Sequence, residues 1–199
     1  FKSHDDFFYY HFPYTYYLTQ SNILIGTGNF NHGFRTPSSI FYLNSLFYLP
    51  FIKYYFFQIG AILIMGFTSL VFLKSIIKNL NDNKLDNIFF LSLLCFCFIN
   101  IFFYRISEHG TDRSAQILIL LFITELIVLI NYYNFTKENI AKIIVLLGLI
   151  ISLKSYYILY LVLTLVVFYY VIKDKKYIYI FEIFKNPFLY IFIFQLILL

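Results

Sequence analysis

His4, Asp5 and Asp6 stand together near the start of the chain, with Tyr10, His11 and Pro13 close behind. A carboxylate at a membrane face can act as general base, drawing a proton from an acceptor hydroxyl or amide as it attacks. Adjacent acids can instead hold a divalent cation, or one acid can simply cap a helix start. The sequence leaves that choice open, and metal dependence with it. His4 and His11 can share one helical face, to touch substrate or to hydrogen-bond lipid headgroups. A second group runs from Asn31 and His32 through Gly33 and Arg35 to Thr36, Pro37, Ser38 and Ser39. A helix opening at Pro37 would aim free N–H groups, Arg35, hydroxyls and His32 at one point, which suits a phosphate or pyrophosphate. The plainer alternative is a turn and cap, with Arg35 snorkelling to lipid phosphates.

The third group lies between two apolar runs: Arg105, Glu108, His109, Asp112 and Arg113. Capping of the next helix by Thr111 or Asp112 explains one of these residues and leaves the rest. The loop is expected to face residues 1–50 across a shared cavity. Glu125 falls inside an apolar run, about 16 Å below that loop at helical rise. An acid there is paired, protonated or functional, and an asparagine, threonine or tyrosine of another helix is its expected partner. Lys154, between two apolar runs, either holds a phosphate or anchors a helix end.

The elements that must position these groups are helices in a bilayer. Hydrophobic residues make up 61% of the chain and charged ones 13%, more apolar surface than a soluble domain can hide. With few small residues, the helices are expected to pack through bulky side chains. Candidate spans are 54–77, 88–104, 114–135, 139–153, 155–172 and 177–199, each near the ~20 residues a crossing needs or somewhat short of it. Between the fourth and fifth stands only Lys154, at either a tight turn or a kink. The fold class is therefore all-α: a polytopic transmembrane bundle over 51–199 with an outer loop over 1–50. Within that loop, 6–17 and 37–49 read as interfacial helices, Pro13 kinking or ending the first.

The net charge of +5 is no nucleic-acid signal once the charges are placed. Lys74, Lys78 and Lys84 surround the first connection, Lys137 and Lys142 mark the third, and Lys173, Lys175 and Lys176 the fifth. These alternate connections would lie together on the cytoplasmic side. All three arginines, Arg35, Arg105 and Arg113, then fall on the outer side, against that bias. Cys95 and Cys97 sit inside an apolar run and read as structural. No glycine-rich nucleotide loop, zinc-type histidine spacing or serine elbow appears. The chain starts without Met and stops within an apolar run, so it reads as an internal fragment with at least one span before Phe1.

An acidic pair outside a presumed first span, a looped outer segment with interfacial helices, and short outer loops bearing Arg, Glu and Asp resemble the GT-C superfamily of polytopic glycosyltransferases. That group includes protein mannosyltransferases and lipid A aminoarabinose transferases. The stretch from Asp5 and Asp6 to His11 and Pro13, then Gly28, Arg35, Ser38 and Ser39, looks more like its uncharacterised bacterial branches. The resemblance implies sugar transfer from a polyprenyl-phosphate donor to a saccharide, lipid or protein acceptor, on the outer face of a bacterial cytoplasmic membrane. It implies Asp5 or Asp6 as the base. Arg35, Arg105, Arg113, Lys154 and His109 would neutralise the leaving phosphate, and Glu108 or Asp112 would position the acceptor or a metal. Two rivals are a transporter of lipid-linked saccharides, with Glu125 as a proton-coupled switch, and a non-catalytic scaffold.

Overall fold

A computed structural model describes residues 6–21, 26–35, 38–103 and 110–173, with Lys185 and Tyr190. All regular elements among them are helical. The sixth candidate span therefore lies outside the described residues, apart from those last two.

The chain opens on a π-helical turn, Phe7–His11, which runs directly into α1, Phe12–Gln20. Pro13 is the cause. It sits in the first turn of α1, and the wider π turn before it gives the ring room. The Tyr9 carbonyl, four residues earlier, loses its α-helical donor and accepts from Asn31 Nδ2 at 3.0 Å instead. Pro13 thus widens the helix rather than ending it.

Helix α2 spans Ser39–Ser45, shorter than the expected 37–49, and residues 36–37 lie outside the description. Ser38 is its N-cap by position, but its hydroxyl donates 2.7 Å to the Leu153 carbonyl, one of the acceptors that a helix end leaves without a partner. Then follow α3 (Ile59–Asn81), α4 (Asn87–Phe102), α5 (Gly110–Asn131), α6 (Lys137–Leu153), a 3-10 segment Ser155–Tyr160, and α7 (Leu161–Lys173).

Three helical stretches are long and apolar enough to cross a membrane: Tyr54–Asn81, Gly110–Asn131 and Ser155–Lys173. Their burial differs sharply, at 56% for the most apolar part of α5 against 28% and 22% for the other two. Helix α5 is therefore the centre, with α3, α4 and α6 around it. As expected, Phe72, Ile99, Ile117, Phe122 and Ile150 fill the core with bulky side chains. One exception is the start of α5, where Gly110 comes close to Ala61 of α3.

The ends of α3 and α5 share one device. In each, the residue after the C-cap takes a left-handed conformation, Asn83 at φ 51° and Tyr133 at φ 50°. The next two N–H groups turn back onto the last turn, Asn83 to Leu80 and Lys84 to Asn79, Tyr133 to Ile130 and Asn134 to Leu129; this is a Schellman stop. Helices α4 and α6 are started by their own caps, Asp86 accepting from Phe89 N and Thr136 from Asn139 N.

Contacts between connections fix the topology. Tyr132, after α5, donates 2.8 Å to Asp86 before α4, and Tyr170 near the end of α7 stacks on Phe135 before α6 at 5.0 Å. The ends bearing Lys78, Lys84, Lys137 and Lys173 are thus one end of the bundle. Lys154 is extended between α6 and the 3-10 segment, so the chain turns there and α7 runs back along α6. Lys142, within the expected span 139–153, lies inside α6 and pairs with Glu125 of α5 at 2.6 Å. A lysine, not an asparagine, threonine or tyrosine, is therefore the partner of that acid.

The Asp86 carboxyl is held below the usual carboxylate range, first by the Phe89 N–H and then by the Tyr132 hydroxyl. A native pKa depressed in this way gives stability that is present above the unfolded value of ~4 and lost as pH falls through the native one. Tyr132→Phe is expected to shrink that acid sensitivity. Comparing thermal midpoints at pH 7 and pH 3 in detergent checks it; equal losses in both proteins would refute the clip.

Candidate functional site

At the end of the bundle opposite the lysines, four elements converge: the π turn, the start of α2, the start of α5 and the turn at Lys154. Asp112 lies in the first turn of α5, where the helix dipole favours a carboxylate. Helix α5 begins at Gly110, so Asp112 is a helix residue and not part of the loop. Lys154 Nζ sits 2.9 Å from its Oδ1. That oxygen is enclosed and has no hydrogen-bond partner among the described residues, so the ammonium is its counter-charge. Arg113 places its guanidinium 6.0 Å from the centre of the Phe103 ring, at the limit of a cation–π contact.

Tyr10 ties the N-terminal segment to this pair. Its phenol is pushed up to about 12 by burial first, then by the charges of Asp6 and Asp112. The charges of two carboxylates therefore reach one hydroxyl, which stays protonated at neutral pH and can donate to an anion. The Asp6 side chain makes no capping bond to the turn it precedes. On the other side of the ring, a Cβ on Gly33 would stand 2.4 Å from Tyr10 Cγ, so glycine is required for the loop to lie against it. Asn31 holds the loop in place, accepting 2.8 Å from Gly33 N while donating to Tyr9.

His11 is buried, edge-on to Tyr10 at 4.3 Å and tilted against Phe41 of α2 at 5.3 Å. It borders a cavity of about 20 Å³ with Thr15, Asn44, Gln58 and Thr111, room for about one water among polar partners. Ser39 and Ser152 hydroxyls, 3.0 Å apart, join α2 to the end of α6 and so set the position of Lys154. Ser114, fully buried, has no hydrogen-bond partner among the described residues.

Of the residues singled out by sequence, the structure gathers Asp6, His11, Asp112, Arg113 and Lys154 at this end. His32 and Arg35 belong to the loop but are exposed, and Arg35 Nε donates 3.0 Å to the Gly28 carbonyl. The helix after them begins at Ser39, two residues later than the sequence predicts, and residues 36–37 of the expected phosphate grip lie outside the described residues. His4, Asp5, Arg105, Glu108 and His109 lie outside the described residues. Among the described residues no three His, Cys, Asp or Glu side chains gather as metal ligands. Sequence reasoning named Tyr10 only as a neighbour, and its central place depends on Gly33, which packs on it from a distant turn. The chain matches no family model, no curated protein and no solved structure.

Proposed function

We propose that the chain belongs to a polytopic membrane protein whose lysine-poor end carries out GT-C-like sugar transfer. The membrane part rests on the outward faces of the helices. Ile62, Phe67 and Leu70 on α3, with Val162, Leu165 and Ile172 on α7, are all at least half exposed, a surface that water does not tolerate at this extent. The enzymatic part rests on one observation, the ion pair of Asp112 with Lys154, whose carboxylate together with that of Asp6 acts electrostatically on the Tyr10 hydroxyl. A base beside a fixed cation and a hydroxyl donor is what an acceptor attack with a departing lipid phosphate requires, and such groups act more strongly in a dry site. The donor is a polyprenyl-phosphate sugar, the side is the outer face of a bacterial membrane, and Asp5 or Asp6 takes the proton. A transporter of lipid-linked saccharides is the second reading, favoured by the Glu125–Lys142 pair between α5 and α6.

The side is tested by labelling. With Cys95 and Cys97 changed to serine, an Asn29→Cys variant of the full-length protein is expected to react with an impermeant maleimide in intact cells. Reaction only after permeabilisation would invert the topology and remove the support for sugar transfer. In membranes supplied with labelled lipid-linked sugar, an enzyme moves the label to an acceptor, whereas a transporter leaves it on its lipid.

A further inference from the structure

Two cavities meet at Val71 and Leu121, between α3 and α5. The first, about 450 Å³, is almost wholly apolar, with Leu63, Phe67 and Leu118 along its walls. Phe67 is 65% exposed, so this half opens sideways on the helix surface. The second, about 250 Å³, changes character: Lys74, Ser75, Lys78, Ser92 and Glu125 line it. Glu125 is already committed to Lys142 at 2.6 Å. Lys74 and Lys78 make no ion pair among the described residues, so the polar half carries uncompensated positive charge. They stand four apart on one helical face, beside the Ser75 and Ser92 hydroxyls, themselves 3.0 Å from each other.

The lengths match as well. From Lys74 to Leu63 along α3 is ~16 Å at helical rise, close to half of the ~30 Å bilayer core. A lysine that merely snorkels to the headgroups needs no cavity, and an apolar groove alone needs no charge. A cleft with cations and hydroxyls at headgroup depth, continued by one leaflet's thickness of apolar wall, has the shape and polarity of a phospholipid.

We infer that the α3–α5 cleft binds an anionic phospholipid, its phosphate on Lys74 and Lys78 and one acyl chain along Phe67, Val71 and Leu118. Basic pockets between membrane helices recognise headgroups in this way. The site lies at the end opposite the proposed chemistry. It rests on the membrane reading, and not on sugar transfer.

The test uses the full-length protein in mild detergent, titrated with dioleoylphosphatidylglycerol or dioleoylphosphatidylcholine and followed by native mass spectrometry and thermal midpoint. Phosphatidylglycerol is expected to bind preferentially and raise the midpoint. Lys74→Gln with Lys78→Gln should weaken it about 30-fold, from the attraction per basic residue. Lys74→Arg with Lys78→Arg should keep it, as should the charge-matched control Lys84→Gln with Lys173→Gln. Equal binding of both lipids, or an equal loss in the control, overturns the site. Protection by inorganic phosphate alone would assign the lysines to a free anion, and a stable dimer without lipid preference would assign the cleft to a second copy; either overturns it. Alkaline carbonate extraction separates the two failures: release from membranes refutes the membrane reading, while a retained protein without the preference refutes only the lipid site.

Discussion

Asp6→Asn is expected to slow sugar transfer by ~10²–10⁴-fold, the usual range for loss of a general base, while the protein still inserts and folds. Asparagine keeps the size and the N-cap preference of aspartate, so the substitution removes charge without removing bulk. The charge is what changes. Asp6 and Asp112 both raise the Tyr10 phenol, and Asp112 is neutralised by Lys154 at 2.9 Å. Asp5→Asn and the double variant belong in the same assay, because either acid of the pair can serve. Transfer is read as label moved from a polyprenyl-phosphate sugar, with membrane-inserted protein quantified in parallel. Full activity in both single variants and in the double one would sink the enzymatic reading. A fall in activity matched by a fall in inserted protein would show a folding role instead.

The helical class was legible in the sequence because apolar runs long enough to span are hard to read otherwise, and the lysine-bearing connections do meet at one end. The stop of α3 was misplaced: the span was expected to end at 77, whereas the helix runs to Asn81 and stops where Asn83 takes the left-handed conformation of a Schellman turn. So was the stop of α5. Tyr133 takes the same conformation at φ 50°, which a bulky side chain disfavours, so periodicity carried the expected span on to residue 135. Phe135 instead lies outside α5 and stacks on Tyr170. Glu125 was expected to meet an asparagine, threonine or tyrosine, because Lys142 was read only for its side of the membrane; on α6 it pairs with Glu125 instead. Within the site, Asp6 and Asp112 were visible as types, whereas their meeting at Tyr10 was not. That meeting depends on a π turn forced by Pro13 and on Asn31, far along the chain, which takes the carbonyl that Pro13 leaves without its helical donor.

Gly60→Ala gives the largest expected loss of stability, and simple propensity predicts the opposite sign. Alanine is favoured over glycine in a helix by ~1 kcal/mol, so an uncrowded Gly60 would make the variant more stable. Here a Cβ would lie 2.4 Å from Asn44 Oδ1, with Leu43 and Ile40 at 3.1 and 3.2 Å. Asn44 is buried at the far side of α2 and accepts 3.0 Å from the Gly60 N–H, one of the donors that a helix start leaves without a partner. It cannot yield without breaking that bond. Overpacking costs ~1–3 kcal/mol and a buried N–H left unsatisfied ~1–3 kcal/mol, so the variant should lose ~2–6 kcal/mol from the two together. Thermal unfolding in detergent reads the sign directly. Asn44→Ala added to Gly60→Ala should recover part of the loss, because it removes the clash, and that coupling marks direct contact. A raised midpoint for Gly60→Ala would refute the close seating of α2 on α3. The seating matters beyond stability: α2 presents Phe41 to His11 and Ser39 to the end of α6, so moving it shifts Lys154 away from Asp112. Transfer activity should therefore fall in Gly60→Ala together with the midpoint, and recover with it in the double variant.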